Sequence, residues 1–100
     1  MKTPVICRKY SDGEIMLLFP EDTVEYRTIA LVLNPGSDGV FYTHYEEVDY
    51  HVIIRQTKPL EPEAAKEPLV IAQRDELIHG AGRTLELRSR YKFSRYKFNY

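Results

Sequence analysis

The chain alternates short runs of strand-like pattern with turn clusters. Val5–Tyr10 and Glu14–Phe19 flank Ser11-Asp12-Gly13, and an Asp-Gly step between two such runs predicts a β-hairpin with a type I′ turn. In the first arm Val5, Cys7 and Lys9 share one face, and Ile6, Arg8 and Tyr10 the other. The second arm, Ile15-Met16-Leu17-Leu18-Phe19, is apolar on both faces, so it belongs inside a sheet or under cover on both sides. Pro20 is expected to end it, since proline donates nothing to a ladder, and Glu21–Glu25 reads as an acidic connector. Tyr26–Leu33 is a third strand. The turn cluster 34–39 joins it to a fourth, Val40–Tyr45, its expected hairpin partner. Tyr50–Thr57, centred on Val52-Ile53-Ile54, reads as a fifth strand.

Pro59, Pro62 and Pro68 change the character of the chain after Lys58. Pro62 with Glu63-Ala64-Ala65-Lys66 suits a single helical turn, and Pro68 is expected to forbid a long helix. Leu69–Ile78 fits both periods; its spacing favours a short helix stopped by Gly80. Arg83–Phe93 alternates as a C-terminal strand. The aromatic parity then flips at Ser94, which marks a bulge or the end of the strand. The expected architecture is α+β: one domain over residues 1–100, a mostly antiparallel β-sheet or half-open barrel, one short helix and a C-terminal strand.

Charge alters this picture at one end. From Arg83 onward the balance is +5, and residues 1–82 carry −6, so the net −1 hides an acidic body with a basic end. That end is a tandem, Arg90-Tyr91-Lys92-Phe93-Ser94 and Arg95-Tyr96-Lys97-Phe98-Asn99, followed by Tyr100. Arg90, Lys92, Arg95, Tyr96, Lys97, Phe98 and Tyr100 offer stacking rings and phosphate-pairing cations for a single-stranded nucleic acid. The same residues also suit packing on the body or on a neighbouring subunit. The charge split and an uncovered strand edge predict a homodimer or higher homo-oligomer.

Other chemistry is sparse. Cys7, the single cysteine, allows no internal disulfide and sits in an apolar run, as a small buried hydrophobe would. His44, His51 and His79 lack metal-ligand spacing. Asp49 and His51 would share a strand face and are the pair to mutate if the chain were an enzyme, but no nucleophile accompanies them, and a non-enzyme with no catalytic residue and no cofactor is expected. His79-Gly80-Ala81-Gly82-Arg83 could hold a phosphate on exposed N–H groups, or could simply be a helix stop and turn. For a nucleotide ligand, Arg8, Arg55, Tyr42 and Tyr45 supply guanidinium groups and rings. With no apolar run of membrane-spanning length and no leader pattern, a soluble chain in the cytoplasm is expected.

Val5-Ile6-Cys7-Arg8-Lys9-Tyr10, Asp12-Gly13-Glu14-Ile15, Leu18-Phe19-Pro20-Glu21 and Ile54-Arg55-Gln56-Thr57-Lys58-Pro59 resemble blocks of small uncharacterised proteins carried by bacteriophages and mobile elements. In those proteins a His/Gly-rich segment stands where this chain has Thr43–Tyr50, and a longer helix follows the Lys-Pro step. The resemblance implies a binding protein of phage or mobile-element origin that acts in the cytoplasm of a bacterial host cell. Its partner would be a host defence protein or a small nucleotide signal.

Overall fold

The computed structural model describes residues 2–91. Its elements are β1 (Lys2–Lys9), β2 (Ile15–Val24), β3 (Arg27–Pro35), β4 (Phe41–Val48), α1 (Tyr50–Gln56), β5 (Lys58–Pro59), α2 (Lys66–His79) and β6 (Thr84–Arg88). The α+β class with a mostly antiparallel, open sheet stands. The strand order is β4-β3-β2-β1, and β5 and β6 both lie along the outer edge of β1. Lys9 and Arg8 pair with Lys58 and Pro59. Lys2–Ile6 pair with Thr84–Arg88 in the one parallel arrangement among the described strands.

β2 sits centrally, and its two apolar faces are the reason the fold has three layers. Leu17, Phe19 and Ile15 join Val5, Cys7, Leu31, Leu33 and Leu85 under α2, which contributes Ala72. Met16 and Leu18 join Ile6, Ala30 and Val32 under α1, which contributes Tyr50 and Ile53. Each face thus removes a continuous apolar row from water, the dominant stabilising term in a chain of this size.

Several expectations are corrected. Residues 50–56 form a helix, not a fifth strand, so two helices flank the sheet. Asp49 caps α1, its Oδ1 accepting from the His51 and Val52 N–H groups at 3.0 and 3.2 Å, and Tyr50, Ile53 and Ile54 make one apolar face at helical spacing. Pro20 does not end β2. The strand runs on to Val24, and the register shifts between Phe19 and Thr23, where a missing N–H costs little. The first hairpin has a three-residue loop rather than a type I′ turn. Among its residues positive φ occurs at Gly13 alone, and Gly13 N–H donates to Tyr10 O at 3.1 Å. Pro68 does not prevent a long helix. It occupies the third position of α2, where backbone N–H groups have no intrahelical acceptor to lose. β6 stops at Arg88 rather than Phe93. Phe93, the Ser94 bulge and the tail residues Lys92, Arg95, Tyr96, Lys97, Phe98 and Tyr100 lie outside the described residues.

Cys7 is 4 % exposed on the α2 side, and burial pushes its thiol up to about 12. The thiolate is the reactive form. Native protein at neutral pH is therefore expected to resist an aromatic disulfide reagent that titrates one thiol per chain in denaturant. Rapid labelling of the native state would contradict this.

Candidate functional site

The end of β1, the C-terminus of α1 and β5 enclose an open groove of about 540 Å³. Lys9, Tyr10, Arg55 and Lys58 line it, with Ser11 supplying a hydroxyl and Glu61 the one carboxylate. Lys9 and Lys58 are register partners across β1 and β5. Like charges directly opposite one another are unfavourable, so the strand pairing itself creates a place where an anion is welcome. Lys9, Arg55 and Lys58 form no ion pair among the described residues. Burial first, and then the carboxylates of Glu14, Glu46 and Asp12, raise the Tyr10 phenol above its ordinary value, so it remains a hydrogen-bond donor.

Arg8 lies beneath this groove and is 9 % exposed. Its Nε donates to Thr57 Oγ1 at 2.9 Å, and one terminal nitrogen donates to Ile54 O at 2.9 Å and Thr57 O at 2.7 Å. Thr57 Oγ1 donates in turn to Ile53 O at 2.6 Å. A guanidinium fork thus satisfies the last carbonyls of α1 and sets its positive charge against the negative end of the helix. Burial lowers the Arg8 pKa, and the neighbouring Tyr50 opposes that shift.

The four nucleotide-site candidates are not brought together. Arg55 lines the groove and Arg8 supports its floor. Tyr42 and Tyr45 stand on β4, three strands from β1 and on opposite faces. The Tyr42 hydroxyl donates to Asp38 at 3.2 Å, and that of Tyr45 donates to Asp75 on α2 at 2.5 Å. Desolvation and that bond to Asp75 raise the Tyr45 pKa well above the phenol range. Arg90 is exposed beyond β6. Lys9, Tyr10 and Lys58 were missed by the sequence reading. Their only sequence signal is that Lys9-Tyr10 and Lys58 flank turn or proline steps at strand ends.

The glycine loop after α2 does hold an anion, but an internal one. Glu76, 2 % exposed, receives the Ala81 and Arg83 N–H groups at 3.0 and 3.1 Å on Oε2, and Arg83 Nε at 3.0 Å on the same oxygen. Another Arg83 nitrogen meets Glu76 Oε1 at 3.1 Å, and a third pairs with Asp22 at 2.8 Å. The Arg83 guanidinium lies 5.6 Å from the Phe19 ring centroid. A Cβ on Gly80 would come within 2.8 Å of the Glu76 carboxylate, so the wrap requires glycine there. The carboxylate occupies the place a phosphate would take.

Asp49 and His51 are likewise not a strand-face pair, because the Asp49 carboxylate is engaged as the cap of α1. His44 Nε2 lies 2.8 Å from Glu46 Oε1. No cluster of three metal-ligating side chains occurs among the described residues. No helix among them is long and apolar enough to cross a membrane. No protein-family model matches the chain, and neither a curated protein nor a solved structure matches it.

Proposed function

We propose that the chain is a non-enzymatic binding protein of phage or mobile-element origin that inhibits a bacterial antiviral defence by sequestering a nucleotide signal. The groove at the end of β1 is the binding site. The observation that carries the reading is that Lys9, Arg55 and Lys58, three cations that form no ion pair among the described residues, line one groove with Tyr10 and a single carboxylate, Glu61. Cations without internal partners suit phosphates, an aromatic ring suits a base, and the Ser11 hydroxyl suits a ribose. The phage origin and the defence target are supported by the sequence resemblance alone.

Calorimetry and thermal shift with cyclic nucleotides, ADP-ribose and inorganic phosphate test the reading. Binding to the native state raises its stability by RT ln(1 + [L]/Kd), about 2.7 kcal/mol at a hundredfold excess over Kd. Lys9→Glu and Lys58→Glu are each expected to weaken nucleotide binding by about ten- to a hundredfold, the loss of one charge-assisted contact. Their melting temperatures should stay close to that of the parent chain. Nucleotide recovered from the complex should be chemically intact. Cleaved nucleotide would replace the binding reading with an enzymatic one. Steeply salt-dependent oligonucleotide binding, lost in Tyr96→Ala/Phe98→Ala, would move the function to single-stranded nucleic acid.

A further inference from the structure

β4 is the open margin of the sheet. One side of it pairs with β3 along its whole length, and the other side meets no strand among the described residues. The opposite margin, β1, is covered by β5 and β6. Tyr42–Glu47 are exposed on both faces. A row of unpaired N–H and C=O groups this long is a template for another strand. β4 carries no proline and no lysine to guard it.

Its own sequence selects the partner. His44 and Glu46 stand two residues apart on the α1 side, an imidazole and a carboxylate at 2.8 Å. Read antiparallel, that order complements itself. The geometry points to β4 as a homodimerisation strand that pairs with β4 of a second copy about a two-fold axis through Tyr45. Each His44 then lies opposite Glu46 of the partner subunit, and the sheet continues through both copies with the two α2 helices on the same side.

The neighbouring registers fail on charge. An axis through His44 sets imidazole against imidazole, one through Glu46 sets carboxylate against carboxylate, and one through Glu47 does the same. An axis through Thr43 leaves both acids without a basic partner. With the axis at Tyr45, Tyr42 also faces Val48 of the partner subunit, so an apolar contact flanks each charged one. Directly opposed side chains of this kind are the unit of sheet stabilisation.

Sedimentation of the full chain is expected to give a dimer mass. His44→Glu sets like charges opposite each other twice and is expected to weaken association by about tenfold or more. The swap His44→Glu/Glu46→His restores the complementarity and should restore the dimer, which a general loss of fold would not allow. Position 45 can be located directly. Directly opposed Cα atoms lie about 4.5–5.5 Å apart, within the span of a disulfide, so Tyr45→Cys should link to its own copy on mild oxidation. Thr43→Cys and Glu47→Cys should not, because each faces the other position and not itself. Cys7 stays silent in the assay, being buried with its thiol pushed up to about 12. A monomer mass at every concentration overturns the proposal. So does a dimer that is indifferent to His44→Glu, or one dissociated by Tyr96→Ala/Phe98→Ala in its place.

Discussion

Glu76→Gln is expected to cost about 3 kcal/mol of folding stability, the lower end of what breaking a buried ion pair costs, because the Arg83 side chain is one-third exposed. Roughly ten degrees or more should be lost from the melting temperature of a domain this size. The reason is geometric. Both carboxylate oxygens of Glu76 accept, and every group around them is a donor. Glutamine presents an NH2 to those donors whichever way it is turned. Arg83 would keep only Asp22, and the turn into β6 would lose what it wraps around. The same group sets the acid response. Hydrogen bonding to Arg83 holds the Glu76 carboxyl below its ordinary value of 4.5, outweighing its desolvation. A depressed acid contributes stability that is present above the unfolded pKa and lost as pH falls through the folded one. The parent chain should therefore lose stability on acidification below pH 4.5, and Glu76→Gln should flatten that part of the profile. Unchanged urea midpoints for the variant at neutral pH would show that the wrap does not hold the loop.

Arg8→Met is the second large effect, about 3 kcal/mol, from leaving the Ile54 and Thr57 carbonyls and the Thr57 hydroxyl without their donor. Methionine keeps much of the apolar stem, so the loss reports the guanidinium. α1 has seven residues, too few to persist without its tertiary contacts. Far-UV dichroism should record lost helicity together with the lower midpoint. Arg55→Met on the same helix is the contrast. That side chain is exposed, and its removal should change stability by no more than about 0.5 kcal/mol while weakening nucleotide binding at the groove. Equal destabilisation by both variants would rule out this division of roles.

The two arginines show what the sequence could and could not reveal. Both were legible as guanidinium groups near the sheet, and nothing in their spacing said that Arg8 would turn inward to a helix end. That error followed from another. Val52-Ile53-Ile54 has the β-branched composition of a strand, and it outweighed the helical spacing of Tyr50, Ile53 and Ile54 and the capping potential of Asp49. Where pattern and burial agree, the reading held. The doubly apolar Ile15–Phe19 run is the centre of the sheet, and the alternation from Thr84 to Arg88 is a strand. Pro20 and Pro68 misled because proline is costly only where an N–H is needed, and tertiary structure decides where that is. The groove was invisible for a similar reason. Lys9 and Lys58 become neighbours only through strand register, and no local pattern encodes that pairing.

The pairing of Lys2–Ile6 with Thr84–Arg88 has a consequence for how the sheet assembles. The strands from β1 to β4 join through successive hairpins, whose loops close at small entropic cost. The pairing of β1 with β6 joins segments about 80 residues apart, and its closure entropy is the largest among the described strand pairings. On a ribosome that contact waits until Thr84–Arg88 have emerged, long after β1. Until β6 is synthesised, the flank of β1 that it covers stands open beside the newly formed meander.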